Sequence, residues 1–430
     1  MIRALKNKTH TLLRASEKYT KTDMVYLSKG GFWMLIPQII NAFAIFFLSI
    51  IFANFLSPNT YGIYKYVVSA AGIITAFSLT GIGTLIVQQI GKGKTINLLS
   101  LFKISIRWNI PSILIAFTGS IYYFIQNNYI LSLGFLSIAL FTPFISSGNI
   151  YDAYLNGLRL FKIKSIFSII SIVLTTAALA ITALYHGGAT LIIFIYFISY
   201  AIVNMLFFVF TLKRIFPKHN ATLPEETSIG LAKHLSLIKI LGIIASKIDS
   251  ILVFTFIGAA ELAMYTFATA IPNQILAVTK NLYTLALPKF AANNFLTGVQ
   301  VNRKALRLLF VNIPIYIGYI IVAPFIFKLF FPTYLEAVSM SQIFALLIIF
   351  GAGGLHGAYL DAQEEIRKKY FITIAVDSFN ILILILLIIP FGLWGVIAAR
   401  IIGQIFAYIT LVITLATIKK RPLEELPKTT

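Results

Sequence analysis

The sequence predicts an all-α integral membrane protein. It has twelve transmembrane helices in two six-helix lobes, related by a pseudo-two-fold axis along the membrane normal, with a central interlobe cavity. Three observations predict this. The 430 residues are 59% hydrophobic and 11% charged, with a mean hydropathy of +0.89, whereas a soluble domain carries about 25% charged residues. The apolar runs are continuous and about 20 residues long, the length of a membrane-crossing helix rather than of an alternating barrel strand. The two halves of the chain also resemble each other.

Twelve apolar segments are readable, at 31–55, 63–90, 107–126, 129–150, 164–185, 189–211, 234–257, 262–288, 306–330, 335–360, 370–390 and 392–418. The expected organisation is a basic N-terminal arm (1–30), an N-lobe of six spans (31–211), a linker (212–233), a C-lobe of six spans (234–418) and a tail (419–430). No removable signal peptide is expected, because the first apolar run is full length. The linker stretch "KRIFPKHNATLPEETS" is polar and contains proline, as a tether does.

Of the 35 Lys and Arg residues, 29 fall in the two termini and in alternate connections. The opposite connections, such as "NFLSPNTYG", "QNN" and "FPTYLE", carry almost none. Basic loops stay in the cytoplasm, so both termini are expected there. This asymmetry accounts for the net charge of +21 without nucleic acid as a partner, and leaves anionic membrane lipids as one. The short opposite connections offer little material for an enzyme domain.

The repeat rests on three matches in order. "FLSPNTYGIY" from Phe55 aligns with "FIGAAELAMY" from Phe256. "NIP" at Asn109 returns at Asn312. "AYLNGLRLFK" from Ala153 returns as "AYLDAQEEIR" from Ala358. Six spans per half is an even number, so the halves share one topology and the expected symmetry axis lies along the membrane normal.

Charge inside the spans is the main functional signal. Each buried charge costs roughly 2.5–3.5 kcal/mol at the centre of a span. Spans 1 to 6 show essentially none in their middles; their polar content is mild, with Gln38 and Asn41 three residues apart on one face of span 1. The C-terminal half carries Lys247 and Asp249 in span 7, Lys280 in span 8, Asp377 in span 11 and Arg400 in span 12. Lys247 and Asp249 point to opposite sides of a helix and cannot simply neutralise each other. Three bases face two acids, so one cation is left to meet water or an anion. The expectation is a wet, cationic cavity that takes an anionic group.

Other features exclude chemistry. Cysteine is absent and the five histidines are scattered, so neither a thiolate nor a histidine metal cluster is expected. "GIG" at Gly81 and "GAGG" at Gly351 lack the strand and Lys-Ser/Thr of a phosphate loop and read as close helix packing. No nucleophile triad or paired carboxylates are visible, so no enzyme, cofactor or metal is expected. Pro37, Pro111, Pro272, Pro314 and Pro324 mark bends.

The segments "KGGFWMLIPQIINAFAIFFLSIIFANFLSPNTYGIY" and "ASKIDSILVFTFIGAAELAMYTFATAIPNQI", opening the two halves, resemble polysaccharide-export membrane proteins. More narrowly, they resemble Wzx-type O-antigen flippases of the multidrug/oligosaccharidyl-lipid/polysaccharide exporter superfamily. The resemblance covers nearly the whole chain. It implies residence in the bacterial inner membrane and transfer of an undecaprenyl-pyrophosphate-linked oligosaccharide repeat unit to the periplasmic leaflet by alternating access. It implies a polysaccharide polymerase and a chain-length regulator as partners. It further implies that spans 1, 2, 7 and 8 line the cavity. That places Gln38, Asn41, Lys247, Asn273 and Lys280 at the substrate, with Arg400 in addition, and Asp249 as the group that couples an ion or proton to the cycle. Three other readings stand beside it: a multidrug and toxin extrusion antiporter, a lipid II-type flippase, and a polysaccharide polymerase or glycosyltransferase. The antiporter needs accessible carboxylates, which the first six spans do not offer.

Overall fold

The computed structural model describes residues 24–215, 226–284, 297–362 and 366–417. Among them every regular element is helical, and the helices group into twelve spans that follow the twelve apolar segments. Span 1 is Met24–Phe55. Span 2 is Pro58–Ala76 continued by Ile82–Gly91. Span 3 is Leu98–Trp108 with Ile110–Ile125. Span 4 is Tyr129–Gly148 with Ile150–Gly157. Spans 5 to 9 are Phe161–Leu184, Ala189–Arg214, Glu226–Phe256, Ala259–Thr284 and Gly298–Phe330. Span 10 is in three pieces, Ala337–Phe344, Leu347–Phe350 and Gly353–Ala362. Spans 11 and 12 lie in Ile366–Ala416, which reverses at Gly392, where φ is 55°. Glycine takes that left-handed backbone without the steric cost other residues meet.

By length and composition, eight of these helical stretches suffice to cross a membrane, one of them holding spans 11 and 12 together. The spans that fall short are 2, 7 and 8. Span 2 is broken at residues 77–81. Spans 7 and 8 carry Lys247, Asp249, Asn273 and Lys280. In an apolar solvent a helix retains such side chains only where they meet protein or water.

The described residues form two compact units that divide between Ala263 and Met264, within span 8. In the first unit, spans 1 and 5, 4 and 6, 3 and 4, and 2 and 7 pack along one another. The approach of span 2 to its neighbours is set by glycine. A Cβ on Gly62 would stand 1.7 Å from the carbonyl oxygen of Ala259, and one on Gly81 2.2 Å from that of Ala232. Gly81 also donates its N–H to Ser236 Oγ at 2.8 Å. Close packing is therefore the role of the "GIG" stretch. Tyr66 stacks on Phe254 with ring centroids 4.0 Å apart, fixing the register of span 2 against span 7.

The second unit repeats devices of the first. Asn109 in span 3 is fully buried and donates to the Ser105 carbonyl (2.8 Å) and to Ser147 Oγ of span 4 (3.3 Å). Its counterpart Asn312 in span 9 donates to the carbonyls of Ile348 (3.0 Å) and Ile349 in span 10. Each is followed two residues later by proline, and each faces a span that breaks just beyond the contact, after Gly148 and after Phe350. The broken turn exposes carbonyls, and the asparagine amide satisfies them or their neighbours. Replacing Asn109 or Asn312 with leucine leaves these groups unpaired and is expected to lower stability by about 1–3 kcal/mol, read as a fall in melting temperature of the detergent-purified protein.

Candidate functional site: a polar cavity in the first unit

A cavity of about 710 Å³ lies inside the first unit, within the roughly 300–1,000 Å³ usual for ligand pockets. Span 1 contributes Pro37, Gln38 and Asn41. Span 2 contributes Gly72 and Thr75. Span 4 supplies Ser146, Asn149 and Asp152. Span 5 adds Ser168 and Ser171, and span 6 adds Tyr196, Tyr200 and Asn204. Span 7 supplies Lys247. Apart from the adjacent Pro37 and Gln38, the members of each set are three or four residues apart, so each helix turns one stripe of polar residues inward.

Lys247 and Asp249 diverge as their spacing requires. The Lys247 side chain is exposed to the cavity, whereas Asp249 is buried, with the Ser250 N–H donating to its Oδ1 at 2.9 Å. The stem of Lys247 lies against Gly72, where a Cβ would be 3.5 Å from Lys247 Cγ, an ordinary contact. The Lys247 ammonium group in turn acts electrostatically on a second one, that of Lys65. Lys65 is half-buried, and its Nζ lies 5.9 Å from the ring centroid of Tyr61.

Lys65 corrects the expectation that the first six spans are free of deep charge. Span 2 begins at Pro58 rather than at 63, capped by Ser57, whose Oγ accepts the Thr60 N–H at 3.2 Å. This puts Lys65 about two turns inside the helix. The Ser-Pro pair is itself a helix-start signal, an N-cap followed by proline at the first position. Asp152 is a second correction, because it brings a carboxylate to the cavity. It is held by Lys164 at 2.9 Å. The pair is partly exposed, so Asp152→Asn is expected to cost only about 0–1 kcal/mol in a thermal melt.

Counted along the helices from their low-charge ends, the lining is graded. Lys65 lies seven residues in from Pro58, Tyr196 seven from Ala189 and Lys247 nine from Phe256, so all three stand about 10–14 Å deep. Tyr200, Ser171, Asn41 and Asn204 follow at about 17–23 Å. Gln38, Asn149 and then Asp152 lie toward the side of the basic connections. The tyrosines form a ledge: the rings of Tyr196 and Tyr200 are 4.9 Å apart, and Tyr64 meets Tyr196 edge-on at 5.7 Å.

Of the residues expected at the site, the structure brings Gln38, Asn41 and Lys247 together. Asn273 is exposed on span 8 and Arg400 half-buried on span 12, both in the second unit. There the Arg400 guanidinium acts on the Asp377 carboxylate. The side chain of Lys280 lies outside the described residues. The tyrosines and serines of spans 5 and 6 were missed, although Tyr196, Tyr200 and Asn204 recur every four residues in "YFISYAIVN", a polar stripe visible in the sequence. Among the described residues no group of three or more His, Cys, Asp or Glu side chains is placed to hold a metal ion.

Comparisons with known proteins bear on the family and the fold. In structure the chain is similar to the lipid II flippase MurJ in an inward closed conformation, with a TM-score of 0.66, 15% identity, and coverage of 91% of this chain and 88% of that one. It is similar to the multidrug transporter DinF-BH (TM-score 0.62, 14% identity, 90% and 94% covered). It is similar also to the Vibrio cholerae transporter VcmN (TM-score 0.56, 14% identity, 91% and 96% covered). No curated protein matches the sequence significantly. The model of the family described as polysaccharide biosynthesis protein matches residues 27–294, which include every residue that lines the cavity. The chain is thus a multi-pass membrane protein with the fold shared by these flippases and transporters, and it belongs to the polysaccharide biosynthesis protein family.

Proposed function

We propose that this protein is a flippase that moves an undecaprenyl-pyrophosphate-linked oligosaccharide repeat unit across the bacterial inner membrane by alternating access. The observation that carries the reading is the cavity itself, where Lys247, backed by Lys65, stands over walls of amides and hydroxyls. Lysine ammonium groups bind pyrophosphate oxygens as point charges. Gln38 and Asn41 offer donors and acceptors to sugar hydroxyls, while the lipid tail stays in the bilayer. Lys280 and Arg400 are further candidates for the pyrophosphate, and Asn273 for the glycan. Asp249 is the candidate to take a proton or cation during the cycle.

Both termini are assigned to the cytoplasm from the basic connections, and outward movement of the anion then follows an inside-negative potential, worth about 2.3 kcal/mol per charge per 100 mV. A polymerase and a chain-length regulator would receive the product. Family and fold both point to transport rather than covalent catalysis.

The rival is extrusion of organic cations, which the fold also serves. Asp152 favours it by placing a carboxylate in the cavity, but Lys164 already neutralises that carboxylate and Lys247 repels a cation. Deletion of the protein from its host decides between them. Loss of surface glycan, with the lipid-linked repeat unit accumulating in the inner leaflet, supports the flippase. Intact glycan with broad drug sensitivity overturns it.

A further inference from the structure

Resting on that reading, we infer that the glycan held in the first unit is electrically neutral and rich in hydroxyls, stacked on the Tyr196–Tyr200 ledge, with its pyrophosphate end toward Lys247 and Lys65. Charge along the cavity is segregated. Of the described residues that line it, two are charged, Lys247 near the low-charge end and Asp152 near the basic side. Between them stand Tyr200, Ser171, Asn41, Asn204, Ser168 and Gln38, all neutral. A sugar carboxylate placed in that stretch would lose its water without gaining a cation, the costly way to bury a charge. Lys247 is engaged by the pyrophosphate in this arrangement, with Lys65 behind the lining, and Lys164 is engaged by Asp152 at 2.9 Å.

A neutral pyranose meets the opposite conditions. Its hydroxyls find amides and hydroxyls that both donate and accept. Its apolar C–H face matches a tyrosine ring, which combines a flat apolar surface with a polar tip. Tyr196 and Tyr200 are both half-buried, so part of each ring is covered by neighbours and part fronts the cavity. Tyr196 is braced on one side by Tyr64 at 5.7 Å and on another by Phe197 at 5.1 Å. Such bracing holds the ledge in one orientation, which lowers the entropy lost on binding.

The test uses three probes on the full-length protein in nanodiscs: farnesyl pyrophosphate, farnesyl-pyrophosphoryl chitobiose, and a farnesyl-pyrophosphoryl disaccharide ending in glucuronic acid. Chitobiose should tighten binding about tenfold over bare farnesyl pyrophosphate, and the glucuronic acid probe should bind no tighter than the bare one. Tyr196→Leu with Tyr200→Leu should erase the chitobiose gain, so that the chitobiose probe binds this variant no tighter than farnesyl pyrophosphate binds the same variant. An acidic probe that binds as tightly as the neutral one, or a chitobiose gain that survives loss of both tyrosines, overturns the inference while the flippase reading stands. Failure of all three probes to bind overturns both.

Discussion

Lys247→Ala is expected to abolish surface glycan while leaving the protein in the membrane at its normal level. The side chain reaches the cavity from span 7, which contributes no other described residue to the lining, and its aliphatic stem rests on Gly72 without filling a packed core. Its removal therefore costs binding more than stability. A charge-assisted hydrogen bond contributes about 1.5–3 kcal/mol, so substrate affinity should fall roughly 10- to 150-fold. Lys65→Ala should weaken binding less, because Lys65 acts on Lys247 from span 2 and is not among the residues that line the cavity. Lys247→Arg preserves the charge and should retain partial display. Electrophoresis of the extracted glycan, alongside an immunoblot of the membrane fraction, reads both quantities. Normal display in the Lys65→Ala, Lys247→Ala double variant would remove the electrostatic mechanism.

Gly62→Ala is expected to produce the largest loss of stability from a single methyl group. The new Cβ would stand 1.7 Å from the Ala259 carbonyl oxygen and 2.5 Å from its carbon. Both obstacles are backbone, so no rotamer change relieves the overlap and the helix must move by more than an ångström. Overpacking of this kind costs about 1–3 kcal/mol and sometimes more. In the second unit Gly298 meets the Leu415 carbonyl in the same way, at 1.9 Å. Gly318, within span 9, has open space where its Cβ would go. Gly318→Ala should therefore be neutral or raise stability by about 0.4–1 kcal/mol. Melting temperatures of the detergent-purified Gly62→Ala, Gly298→Ala and Gly318→Ala variants give the comparison. Equal effects at Gly62 and Gly318 would contradict the close approach.

Much of the fold was legible because it depends on local composition. Continuous apolar runs give the spans, and paired segments such as "NIP" at Asn109 and Asn312 give the repeat. The structure adds why that asparagine recurs: in each unit it supplies an amide to a partner span about to break. Helix starts were less legible. Placing the start of span 2 at 63 hid Lys65, although Ser57 and Pro58 mark the true beginning. Asp152 was hidden for the matching reason at the other end of a helix, since span 4 continues past Gly148 through Ile150–Gly157.

The sequence by itself determined that this chain lives in a bilayer, where its apolar spans fall, which connections are basic, and that Lys247 and Asp249 lie well inside span 7. Those properties follow from hydrophobic length and the fixed rise per residue, which are local. Only the tertiary structure decided which stripe of each helix fronts water. It brought Gln38 and Asn41 to the same cavity as Lys247, set Lys65 to act on that lysine, bound Asp152 to Lys164, and turned Asp249 away. Rotation of a helix about its own axis is set by what packs against it. Here that is decided by glycines that admit a neighbouring backbone and by ring contacts such as Tyr66 on Phe254, both of which join residues far apart in the chain.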